Sequence, residues 1–185
     1  TALISQKYQG EDHKGQMNWS EADVKTVLRE CWKNNLEVAL HTLGDEASHQ
    51  IVQWARQIYI EGIQGPLHLE HVEILRPETI QSMKPLHVRC HLQPCHWWSD
   101  QSWLKNRMGS LFPFAFPWES LRKAQVPFSF GSDSPIETSD FFSNLRALQD
   151  SAEKGVKELQ ENPLSFHQYP FFDAPAGTTQ IKDDR

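Results

Sequence analysis

Apolar positions along the chain alternate between helical periodicity and short β-prone runs. Behind Ser20-Glu21-Ala22-Asp23, a capping residue followed by an acidic third position, Val24, Val27, Leu28 and Cys31 recur at helical spacing. They predict an amphipathic helix over residues 21–34. Leu36-Glu37-Val38-Ala39-Leu40-His41 then reads as a strand closed by Gly44-Asp45, and Ala47, Ile51, Ala55 and Ile58 place a second helix after it. Residues 66–72 form the next strand candidate, and Pro77 opens a short helix at its first turn. His87 to Gln93 is a third strand, ended by Pro94. A Trp-rich connection leads to a helix near Trp118–Ala124. Val126-Pro127-Phe128-Ser129-Phe130 is a fourth strand, ended by Gly131-Ser132-Asp133. A last helix is expected over 140–160, and 162–185 is an irregular tail.

Strands separated by helices imply right-handed βαβ units, a parallel sheet and the α/β class. At 185 residues the length fits one domain over 1–185. His41, His71, the Gln93–His96 segment and Asp133 fall at the carboxyl ends of the predicted strands, the edge where α/β folds build sites.

Composition narrows the classes. A net charge of -6 with scattered Lys and Arg argues against nucleic-acid or anionic-membrane surfaces. No apolar run reaches the roughly 18 residues of a membrane span. Three cysteines make no disulfide framework, so a reducing, cytoplasmic setting is expected. The first residues show neither an initiator Met nor a signal-peptide pattern, and the chain is expected to be a piece of a longer one.

His41, His71 and Asp133 are the expected metal ligands, because neutral imidazole and carboxylate suit Zn²⁺ and similar ions. One βα unit takes roughly 30 residues, so the three would sit on one strand end, the next, and two further on. Each alone also has a structural reading: a hydrogen-bonded histidine, or an aspartate capping a turn. Cys90-His91 and Cys95-His96 make a poor separate zinc site, since neighbours on a strand point to opposite faces. His91 is expected inside the barrel or satisfied locally, and His96 at the pocket. His68 is expected to face away from His71, and His13, His49, His87 and His167 to be surface or packing residues. Trp97, Trp98, Trp103 and Trp118 fit core packing better than a pocket wall.

The ordered motifs resemble one branch of the amidohydrolase superfamily, which includes N-substituted formamide deformylase. His41-Thr42-Leu43-Gly44-Asp45-Glu46-Ala47 resembles its His-x-x-Gly-Asp-x-Ala segment, and Leu69-Glu70-His71-Val72 its next strand end. Gln93-Pro94-Cys95-His96, followed by Ser99-Asp100, is similar to its Gln-Pro-x-His segment, and Gly131-Ser132-Asp133-Ser134-Pro135 to its Gly-Ser-Asp-x-Pro. The resemblance covers roughly residues 1–145 and implies a partial (β/α)8 TIM barrel, about strands five to eight. It implies His41, His71 and Asp133 as ligands of one or two divalent ions, with Asp133 shuttling the proton of the attacking water. Gln93 and His96 would line the substrate pocket, and the reaction would hydrolyse an amide, formamide or cyclic imide C–N bond. The family's His-x-His pair and its fourth-strand Lys have no counterpart in these 185 residues. These residues alone are therefore expected to bind metal weakly, to be inactive, and to form a homodimer through open sheet edges. A non-catalytic half-barrel that self-associates or binds a partner is the alternative.

Overall fold

The computed structural model describes residues 2–153; the 162–185 tail and the far end of the last expected helix lie outside the described residues. Helix α1 spans Glu21–Lys33, and the Ser20 side chain accepts from the Asp23 N–H as its cap. Strand β1 (Val38–Thr42) follows, then α2 (Asp45–Ile60), β2 (Leu67–His71), α3 (Pro77–Met83) and β3 (Val88–Leu92). The Trp-rich stretch, expected only as a connection, folds into α4 (His96–Asp100), α5 (Leu104–Met108) and a 3₁₀ turn at Gly109–Phe114. After it come α6 (Trp118–Ala124), β4 (Phe128–Phe130) and α7 (Phe141–Glu153). Strands β1 and β4 begin two residues later than their sequence patterns, β1 runs one residue further to Thr42, and β2 and β3 lose one residue at each end.

The four strands pair in parallel in the order β1-β2-β3-β4. The register sets Val38 beside Leu67 and Val88, and Cys90 beside Phe128. This is a half-turn of a (β/α)8 barrel. One sheet face carries Leu67, Leu69, Val88, Cys90, Leu92, Phe128 and Phe130, which join Val24, Leu28, Val52, Ile58, Ile80 and Leu121 of the helices in one buried core. Burying each large aliphatic side chain contributes about 1.5–3 kcal/mol. Trp97 and Trp118 are in that core, whereas Trp98 and Trp103 are exposed, so the tryptophans divide between packing and surface.

The opposite face alternates to Ala39, His41, His68, Glu70, Arg89, His91 and Ser129. Here a polar chain crosses the strands: the His68 ring bonds Glu37 and His91 at 2.8 Å each, and the far nitrogen of His91 meets the Ser129 hydroxyl at 2.8 Å. His68 thus faces away from His71 as expected, and His91 is satisfied locally. His49 packs, its ring 3.0 Å from the Thr79 hydroxyl. All three cysteines are free thiols.

The N-terminal segment is fastened where β1 turns into α2. Asp45 is buried; its Oδ1 accepts from the Ser5 N–H at 3.0 Å and its Oδ2 lies 3.0 Å from Arg76 Nε. A Cβ on Gly44 would stand 2.0 Å from the Leu3 carbonyl oxygen. That is main chain, which cannot rotate away. Gly44→Ala is therefore expected to cost about 1–3 kcal/mol through overpacking, read as a lowered urea midpoint. An unchanged midpoint would show that the segment is not held there.

Candidate metal centre

Every strand of the sheet ends on one edge, and three of the five predicted site residues converge there with groups the motifs do not reveal. Plain alternation would turn the His71 side chain to the helix-facing side with Leu67 and Leu69. The chain instead leaves β2 with positive φ at His71 and Val72 (75° and 39°). Such backbone costs about 1–3 kcal/mol per residue, and it carries the imidazole to the strand ends. There its ring meets that of His41 edge-on, centroids 4.4 Å apart, and stacks on that of His96 at 5.6 Å. Asp133 also has positive φ, 55°, in the loop after β4.

Among the described residues, ligand atoms of His71, His96 and Asp133 lie within 4.8 Å of one another. His41 is placed beside His71 but outside that set, and its side chain is exposed. Gln93 is buried directly behind His71. Its amide N–H donates to the His91 carbonyl at 3.3 Å, so its Oε1 accepts from His71 Nδ1–H at 3.0 Å. His96 is buried, and its Nδ1–H donates to Glu73 Oε1 at 2.6 Å. Both imidazoles thus have Nδ1 engaged, which leaves Nε2 as the free donor atom, the arrangement in which ligating histidines are usually held.

Among the described residues, one fully buried imidazole nitrogen has no hydrogen-bond partner, the Nε2 of His96. It lies 3.7 Å from Asp133 Oδ2, too far for a hydrogen bond. Across that gap the nitrogen and the carboxylate form an ion pair when the ring is protonated, and leave room for a cation when it is not. The donor set of imidazole and carboxylate therefore fits a divalent ion such as Zn²⁺.

Titration follows the same geometry. Burial holds His71 below the usual imidazole range, with His41 adding to it and Asp133 opposing. Burial also disfavours charge on His96, but the hydrogen bond and charge of Glu73 prevail and raise its pKa. Burial, and then the charge of Glu73, push Asp100 up to about 6. Burial raises Glu70 as well, with His68 opposing and Asp133 adding. The Cys95 thiol is pushed up to about 11 by burial, which keeps it a thiol at neutral pH.

The sequence motifs do not single out Glu73. Its signal is a carboxylate inside the apolar run Val72 to Leu75, since buried Glu is rare without a partner. A cavity of about 600 Å³ lies at the other end of the sheet, lined by Glu37, His68, His87 and Arg89. Barrels do not build catalytic sites at that end.

The family model described as "Amidohydrolase family" matches residues 1–159. A metal-dependent hydrolase of unassigned function from Pyrococcus furiosus superposes with a TM-score of 0.79 at 24% identity, over 91% of this chain and 35% of that one. Its counterpart from Pyrococcus horikoshii OT3 gives 0.76 at 24% identity, with the same coverage. Protein LONG AFTER FAR-RED 3 of Arabidopsis thaliana is 25% identical over 108 residues, which are 56% of this chain and 18% of that protein. The chain thus spans well under half the length of each of these relatives.

The raised Asp100 carboxyl yields a pH signature. A group whose folded pKa lies above its unfolded value contributes fully below the unfolded pKa and loses that contribution as pH rises through the folded one. Moving from 3.8 to about 6 corresponds to roughly 3 kcal/mol at most, and partial solvent contact reduces it to about 1–2 kcal/mol. Asp100→Asn is expected to be more stable than the parent by that amount at pH 8, with the difference vanishing below about pH 4. Urea midpoints across pH 4–8 check it; a difference independent of pH would reject burial of the Asp100 charge as its cause.

Proposed function

We propose that this chain, which belongs to the amidohydrolase family, is the carboxyl-terminal part of a metal-dependent barrel hydrolase that cleaves C–N bonds. The observation that carries the reading is that His71, its Nδ1 held by Gln93 so that Nε2 is left as the donor atom, converges with Asp133 at the strand ends beside the His41 ring. Zn²⁺ is the preferred ion, held by His71 and Asp133 with His41 alongside. An ion there supplies a polarised substrate carbonyl and a more acidic water. Asp133, about one-third exposed, takes the proton of the attacking water and returns it to the leaving nitrogen. Gln93 fixes the His71 tautomer, and the aspartate's loop keeps the carboxylate at the strand ends. Amides, formamides and cyclic imides are the substrate classes, by similarity of the motifs to the formamide deformylase branch. The free thiols support a reducing, cytoplasmic compartment. None of the helices among the described residues is long and apolar enough to cross a membrane.

In the full-length protein loaded with metal, Asp133→Asn is expected to lower kcat/KM about 10²–10⁴-fold on its best N-formyl, N-acyl or cyclic imide substrate, because asparagine accepts no proton at neutral pH. Cys95→Ser is expected to leave metal content and rate unchanged. Near-normal turnover in Asp133→Asn, or no hydrolysis across the panel at full occupancy, would reject the assignment.

A second reading, self-association of the half-barrel, is favoured by the edge of β1. The Val38 N–H donates to the Pro66 carbonyl, and the Thr42 carbonyl accepts from Val72. In a parallel ladder the positions between them, Ala39 and His41, turn their backbone groups to the other edge. Beside that edge runs a cavity of about 480 Å³ lined by Leu3, Met17, Trp19, Leu40, His41 and Ile51. A strand from a second copy would pair there. Ala39→Pro removes one donor from that edge alone, and is expected to turn a sedimenting dimer into a monomer with native circular dichroism. A monomeric parent would end this reading.

A further inference from the structure

We infer that His96 is itself a metal ligand, and that Glu73 is a positioning residue that acts through it. The inference rests on the metal-dependent reading above and adds a donor that the motif resemblance assigned to the substrate pocket. Four observations converge. His96 is buried, and its Nε2 is the fully buried imidazole nitrogen that, among the described residues, has no hydrogen-bond partner. Its other nitrogen is fixed by Glu73 at 2.6 Å, which sets the tautomer and points Nε2 toward the loop after β4. Its ring stacks nearly parallel on that of His71, 13° between planes, so the two rings present neighbouring edges. The 3.7 Å between Nε2 and Asp133 Oδ2 exceeds a hydrogen bond. Two donors each about 2.0–2.2 Å from one tetrahedral ion stand roughly 3.3–3.6 Å apart, so a shift of a few tenths of an ångström seats both on one ion.

Glu73 is buried with His96. A carboxylate behind an imidazole raises its basicity and locks its plane, and losing such a partner costs about 10–100-fold in metal affinity. Gln93 performs the orienting part of that role for His71 with a neutral amide. The two histidines therefore differ in donor strength, and His96 is the stronger donor. Three donors from β2, β3 and β4 make the centre a property of consecutive βα units.

Co²⁺ binding tests this directly, by visible absorption titration of the metal-free full-length protein. The expected result is saturable binding with ligand-field bands. His96→Gln, whose amide keeps a donor for Glu73, is expected to lose more than about 100-fold in affinity and to change the bands. Glu73→Gln keeps an acceptor for Nδ1–H without the charge, and is expected to lose about 10–100-fold while the band pattern stays. Circular dichroism confirms folding, and His96→Ala is the second variant if His96→Gln is unfolded. Unchanged affinity and bands in His96→Gln, with binding lost in His71→Gln and Asp133→Asn, would overturn this inference and leave the proposed function standing. The gap would then hold only the proton of an imidazolium. No Co²⁺ binding by the parent would overturn both.

Discussion

Parallel pairing is the constraint on which the rest of this structure depends. A strand that pairs in parallel cannot return by a tight turn, so each is followed by a helix that crosses back over the sheet. The outcome is that β1, β2, β3 and β4 all finish on one edge, and residues far apart in sequence come within one ion's reach. The register is fixed by the apolar face: a slip of one residue would turn Leu67, Leu69, Val88 and Cys90 out of the core.

The sheet's two faces carry different kinds of specification. Toward the helices the contacts are apolar and tolerant of chemistry. Toward the barrel interior the contacts are directional, and the row from Glu37 through His68 and His91 to Ser129 consumes its own donors and acceptors. That closed row stays inert because every one of its ring nitrogens is used. A few residues further along, the same residue types are arranged to leave two nitrogens over. The difference between the structural histidines and the proposed ligating ones is this accounting of protons, made by Gln93 and Glu73.

Left-handed backbone occurs at the proposed site as well as at Asn35, Phe116 and Gln125. His71, Val72 and Asp133 all adopt left-handed backbone without being glycine. Anchors on either side hold them: the Val72 N–H bonds the Thr42 carbonyl at 2.8 Å, and the Ile136 N–H the Asp133 carbonyl at 2.8 Å. The buried Asp45–Arg76 contact ties the adjoining helix starts. Rigid surroundings of this kind let a strained residue keep one side-chain direction.

The sequence alone determined the elements and their order, because apolar periodicity and capping residues act over a few positions. Ser20 as a cap, Pro77 at a first turn and Gly131 after β4 were legible for that reason, as were His41, His71 and Asp133 at strand ends. Alternation along a strand could not reveal that His71 leaves its expected face, since that depends on a left-handed backbone imposed by neighbouring loops. It could not reveal Glu73 behind His96 either, because that contact is made across two strand ends and depends on the register of β2 against β3. The Trp-rich stretch read as a connection because its short helices have too few turns for a period, and packing of Trp97 and Trp118 decides them. Local pattern chose which atoms reach the edge of the sheet; only tertiary contacts decided which of their nitrogens remain free.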